Sequence, residues 1–154
     1  MKHKTSIIVT LATALFMSSC TDGKVYDSYE HTPIAGWEKN DTLSFDIPKV
    51  KEAGRYALQL GLRVNESYPF MGLTLIVEQH FYPSGKVSSD TLRCQLSDAE
   101  GNSEGKGVNY YQYEFDVSET DLNVGDSLHV SVRHDMKREI LPGISDVGIM
   151  LSRR

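Results

Sequence analysis

Arg55-Tyr56-Ala57-Leu58-Gln59-Leu60-Gly61-Leu62-Arg63-Val64 repeats with a period of two. Tyr56, Leu58, Leu60, Leu62 and Val64 fall on one side, and Ala57, Gln59, Gly61 and Arg63 on the other. Five apolar residues on one face predict an inner strand of a sheet whose opposite face meets water. The same period recurs on both sides of this stretch. Leu43, Phe45 and Ile47 alternate with Thr42, Ser44 and Asp46, and Pro48 ends that run. After an irregular Asn65-Glu66-Ser67-Tyr68-Pro69-Phe70 come Leu73, Leu75, Val77 and Phe81, then a turn at Pro83-Ser84-Gly85-Lys86. Leu92, Cys94 and Leu96 define a further strand. Tyr111, Tyr113, Phe115 and Val117 define another, followed by a polar turn over 118–126 with Leu122 and Val124 as plugs. Leu128, Val130 and Val132, and finally Val147, Ile149 and Leu151, complete the set. Only 134–140 could hold a helical turn. Seven to eight short alternating strands without a long amphipathic helix predict an all-β chain, an antiparallel β-sandwich with jelly-roll-like connections.

The first twenty residues follow a different logic. Lys2, His3 and Lys4 precede an apolar run from Ile7 to Met17, and Ser18-Ser19-Cys20 closes it. The run is shorter than the roughly 20 apolar residues a membrane span needs, and its order is that of an export signal ending at a lipidated cysteine. The expected organisation is a signal peptide over 1–19, a lipidated Cys20 with a tether over 20–36, and the sandwich over 37–154. Tyr26, Tyr29 and Trp37 are expected to cover one edge of the core. Thr21 stands where an aspartate would retain the protein at the inner membrane, so an outer-membrane lipid anchor is favoured. The few acidic residues after the cysteine, Asp22 and Asp27 with Lys24 between them, favour the periplasmic face over the cell surface. Of 16 Lys and Arg, Lys2 and Lys4 leave with the signal, so 14 face 21 Asp and Glu, a net of −7. Such a chain has no electrostatic basis for binding nucleic acid. Cys94 then has no partner within the chain and reads as a buried apolar residue.

No stretch presents a nucleophile or nucleotide-binding motif, and no cofactor is implied; carboxylates are plentiful enough for a glycosidase-like pair, yet none sits in a stretch that reads as a buried site. Asp98-Ala99-Glu100-Gly101-Asn102-Ser103-Glu104-Gly105 spaces oxygen donors two apart, but it lacks the glycine and the terminal glutamate of a calcium loop. It reads as a solvated acidic hairpin loop. The five histidines form no H-x-x-x-H pair, so their spacing supports no metal site. Trp37, Tyr68 and Phe70, joined by Tyr82 and Tyr110, are candidates for a ligand platform of the kind that stacks on a glycan, against a simpler role in capping the core. The segment from Arg133 to Gly148 is longer than a hairpin needs. In it Arg133, His134, Met136, Arg138, Gly143 and Asp146 form a candidate partner-binding or structural loop. In the structural version Met136, Ile140, Leu141 and Ile144 plug the sandwich while Arg133 or Arg138 pairs with Asp146.

Taken together, the cysteine ending, Trp37 and Asp41-Thr42-Leu43-Ser44-Phe45, Arg63-Val64 before Tyr68-Pro69-Phe70, the glycine-rich Gly105-Lys106-Gly107, and Met136-x-Arg138-x-x-Leu141-x-Gly143-Ile144-x-Asp146-Val147-Gly148 resemble the GldH lipoproteins of the Bacteroidota. The resemblance covers nearly the whole mature chain. It implies a lipoprotein linked to the outer membrane and associated, in gliding bacteria, with gliding motility and its coupled secretion. It implies no enzymatic activity. The resulting expectation is a non-enzymatic accessory or scaffold component that contacts the membrane through Cys20 and meets other envelope proteins. The alternative is a glycan-binding module of the cell envelope.

Overall fold

The computed structural model describes residues 23–154. The signal segment, Cys20 and the first residues after it lie outside the described residues. The chain forms β1 (Lys24–His31), β2 (Trp37–Glu38), β3 (Leu43–Ile47), β4 (Gly54–Asn65), β5 (Gly72–Tyr82), β6 (Val87–Gln95), β7 (Tyr110–Leu122), β8 (Ser127–His134), β9 (Ile140–Leu141) and β10 (Ile144–Arg153). Eight of these are long, the seven that the alternation predicts and β1. The other two are a two-residue ribbon, β2 with β9, that joins the ends of longer loops.

The long strands form two four-stranded antiparallel sheets, ordered β1-β10-β4-β7 and β3-β8-β5-β6. Counting the long strands alone, one sheet holds the first, eighth, third and sixth, and the other the second, seventh, fourth and fifth. Only the β5–β6 hairpin stays within a sheet, while every other connection crosses between them. That is the doubled Greek key of a jelly roll. The core lies between the sheets, where Tyr56, Leu58, Leu60, Leu62 and Val64 of β4 meet Leu73, Leu75, Val77, Val130 and Val132 of the facing sheet.

Three expectations are corrected. Residues 24–31 are not tether but an edge strand, paired with β10 from Lys24↔Ser152 to His31↔Asp146. The reason lies in two strand glycines. Gly148 and Gly61 are neighbours across β10 and β4, and Tyr29 sits opposite Gly148. A Cβ at Gly61 would lie 2.2 Å from the Tyr29 hydroxyl. The ring therefore fills a trough that only glycines leave, with Gln112 Nε2 donating to its hydroxyl at 2.8 Å and the Arg63 guanidinium 4.1 Å from its centroid.

Strand β7 likewise does not stop at Val117 but runs on to Leu122. Leu58 faces Ser118 while Gln59 faces Asp116, so Val117 is an extra residue in the ladder, a β-bulge. Before it the odd-numbered residues point inward; after it the even-numbered ones do, which buries Leu122, while Val124 lies past the strand end in the turn and is exposed. The third correction concerns 134–140, which hold no helical turn.

The connections gather at two ends. Residues 32–42, 66–71, 96–109 and 135–143 form one end. The start of β1, the β3–β4 loop, the β5–β6 and β7–β8 turns and the C-terminus form the other. There Gly23 O accepts from Arg153 N at 2.7 Å and Val50 N donates to Asp126 O at 2.8 Å.

Candidate functional site

Most of the residues singled out in the sequence converge on the first of these ends, a crown of four loops. Trp37 is wholly buried there, its Nε1 donating to Asp41 O at 2.9 Å. His134 continues the inward series of β8 and is also wholly buried, packed edge-on against Trp37 at 5.3 Å. Its Nε2 lies 3.1 Å from Trp37 O, and its Nδ1 accepts from the Met136 amide at 3.4 Å. A carbonyl only accepts, so Nε2 carries the proton and the ring is neutral. Burial pushes the His134 pKa below its ordinary value, more strongly than the bond to Trp37 O raises it.

Around this pair the loops are tied by backbone. Lys39 N donates to Glu139 O at 2.8 Å, and Asp135 N to Thr74 O at 2.8 Å. Met136 Sδ accepts from Thr74 N at 3.4 Å. Gly143, at φ +83°, lies so close to the β4–β5 loop that a Cβ would come 2.3 Å from Tyr68 N. Its carbonyl accepts from Asn65 N at 2.8 Å. A side chain here would therefore need both a left-handed backbone and space that Tyr68 occupies. Tyr68 is itself half-buried, its hydroxyl donating to Gly72 O at 2.7 Å and its ring edge-on to Phe70 at 5.6 Å. Burial, and then the neighbouring Cys94, raise its pKa.

The expected pairing of Asp146 with Arg133 or Arg138 is replaced by another. Asp146 is buried, accepts from Ser145 Oγ at 2.8 Å and meets His31 Nδ1 through its other oxygen. Thr32 anchors the same corner, its amide donating to Ser145 O at 3.0 Å and its hydroxyl to Ile144 O. Arg133 and Arg138 project into solvent and make no ion pair among the described residues.

The aromatic platform is not assembled. Trp37 belongs to the core, where no ligand can stack on it, and of the three rings Phe70 shows the most surface, at 38%. The crown instead exposes Ile34, Met71, Val108, Tyr110 and Ile140 alongside Phe70. Lys137, Arg138 and Glu139, which precede Ile140 in its loop, are exposed as well. Nor does the crown hold a nucleophile with a base. Burial pushes the Cys94 thiol up to about 12, far from a reactive thiolate. In the 98–105 loop the Asp98 carboxylate is taken by the amides of Glu100 and Asn102, at 3.0 and 2.8 Å.

A model of the GldH lipoprotein family matches residues 24–151. The chain belongs to this family. It is 30% identical to the gliding motility lipoprotein GldH of Flavobacterium johnsoniae over 161 aligned positions, covering 100% of this chain and 99% of that protein. To the GldH homolog of Christiangramia forsetii it is 29% identical, over 99% of this chain and 98% of that one. A carbohydrate-binding module specific for non-crystalline cellulose, at 11% identity and a TM-score of 0.46, covers 80% of this chain and 71% of its own; at that level the likeness carries no argument.

The GldH match begins at the first residue of β1 and ends within β10, so the family unit includes the strand that sequence reading assigned to a tether. Ile34 and Met71, two of the most exposed apolar residues of the crown, were absent from the sequence candidates. Ile34 had a readable signal: an apolar residue between Pro33 and Gly36 sits in a turn with no core to enter.

Proposed function

We propose that this GldH lipoprotein is a lipid-anchored, non-enzymatic accessory or scaffold component of an envelope assembly. It is held through Cys20 in the outer membrane with its sandwich on the periplasmic side, and its partner proteins meet the loop crown. The observation that carries this reading is directional. Only three residues separate Cys20 from β1, a reach of roughly 10 Å at full extension. From its start beside the C-terminus, β1 runs the length of the sheet to the crown, about 26 Å for eight residues. An anchor at Cys20 thus holds the plain end of the sandwich near the bilayer and turns the crown away from it. The exposed Ile34, Phe70, Met71 and Ile140, all in loops of that far end, support a protein contact.

The test is crosslinking in living cells followed by affinity purification of the lipidated protein, with Cys20→Ala as control. Repeated recovery of the same envelope proteins, lost in the control, is the expected result. Recovery of none by a folded, correctly anchored protein would overturn the assembly role. Glycan binding, the alternative, draws no support from the crown because Trp37 is enclosed.

A further inference from the structure

The outer face of the β3-β8-β5-β6 sheet assembles a group that the chain keeps far apart. Asp46 on β3 lies opposite His129 on β8, and His129 lies opposite His80 on β5. Their neighbours Phe45, Ile47, Leu128, Val130, Gln79 and Phe81 point into the core, so all three side chains point out. The two imidazoles meet edge to face, centroids 6.3 Å apart and 68° between planes. His129 Nδ1 is 2.7 Å from Asp46 Oδ1, and His80 Nε2 is 2.6 Å from Glu78 Oε1. An ionised carboxylate can only accept, so these nitrogens donate. Nε2 of His129 and Nδ1 of His80, on adjacent strands, are left without a hydrogen-bond partner among the described residues.

A metal-bound histidine has this arrangement: one ring nitrogen donates to a carboxylate, which fixes the tautomer and raises the basicity of the other. Here it occurs twice, on rings whose side chains are each 35% exposed. Directly opposed residues of antiparallel strands hold their Cβ atoms about 4.5–5.5 Å apart. Rings projecting from the same face at that spacing can offer both free nitrogens to one ion, at the roughly 2.0–2.1 Å it requires of each. We propose that His80 and His129 form a two-imidazole site for a divalent transition metal, Cu²⁺ or Zn²⁺, with Asp46 and Glu78 orienting the rings and water completing the coordination. Two imidazole nitrogens select these ions over Mg²⁺ and Ca²⁺, which require oxygen. Among the described residues no group of three or more His, Cys, Asp or Glu is placed to hold a metal, so the site has two protein ligands and stays open to a further one.

Calorimetric titration of the detergent-solubilised mature protein with CuCl₂ and with ZnCl₂ tests this. The expected result is one ion per chain, with no heat from MgCl₂. His80→Ala and His129→Ala should each weaken binding by about tenfold or more, and Asp46→Asn by about tenfold. Ring signals of His80 and His129 in nuclear magnetic resonance spectra of the unmodified sequence should be the histidine signals that move. No stoichiometric uptake, or uptake unchanged in the folded double variant, would overturn the site, as would shifts at His31 or His134 instead.

Discussion

His134 is buried and neutral, and that fixes the sign of its effect on stability. In the unfolded chain it titrates near the ordinary histidine value of about 6.5, and in the folded chain lower. Between those values the unfolded state binds the extra proton. His134 thus favours folding fully above about pH 6.5, and that contribution is lost as the pH falls toward the lower folded value. His134→Gln keeps a donor for Trp37 O but does not titrate. Between pH 7 and 5 the wild-type unfolding free energy should therefore fall more steeply than the variant's in denaturant titrations; parallel curves would refute this assignment. Gly61 carries the second prediction at this scale. Gly61→Ala should destabilise by about 1–3 kcal/mol because its methyl group collides with the Tyr29 ring. The cost should shrink in a Tyr29→Ala background. Equal costs in both backgrounds would show that Tyr29 does not fill that trough. Sequence did carry part of this, since Gly61 interrupts an apolar strand where a larger residue would be usual. What it could not carry was the partner, because the register that sets Gly148 beside Gly61 is a long-range pairing.

Among the strands that the sequence did show, β4 was fully legible and β7 only in its first half. The ten residues from Arg55 to Val64 keep one parity, whereas β7 changes parity at its bulge, so its second half reads as turn. The change of parity is what turns Ser118 inward toward Gln79, the buried polar residue that breaks the apolar series of β5. Gln79 Nε2 donates to Ser118 Oγ at 3.0 Å and to Asp90 Oδ2 at 3.2 Å. Ser118 Oγ in turn lies 3.2 Å from Gln79 Oε1. This bridge joins the two sheets and fixes their relative register. Gln79→Met preserves volume but strands Ser118, and should cost about 1–3 kcal/mol in equilibrium unfolding. Adding Ser118→Ala should recover most of that loss. A neutral Gln79→Met would mean that the bridge is not formed.

At the scale of the whole molecule, strand count and turn spacing were enough to favour a jelly roll, because eight short alternating strands have few ways to hide their edges. The convergence of the loops was not readable. Trp37, Gly143 and Tyr68 lie in three separate connections, and only the crossing of strands between sheets brings them to one end. The burial of Trp37 and the exposure of Ile34 likewise follow from the β2–β9 ribbon, whose two-residue strands are too short to show a period. The charged residues of 133–148 look alike in sequence yet divide by position: Asp146 is enclosed with Ser145 and His31, while Arg138 faces solvent. Arg138→Glu should therefore leave the unfolding midpoint unchanged, whereas Asp146→Ala should lower it.

The central claim is that the crown, not the anchor end, meets the partners. A photo-crosslinking amino acid placed in living cells at Phe70 or Ile140, on the crown, and at Lys51 or Val124, on the opposite end, tests it most directly. Discrete protein adducts from Phe70 and Ile140, absent from Lys51 and Val124, are the predicted result. The same adducts from both ends, or adducts from Lys51 and Val124 alone, would contradict it.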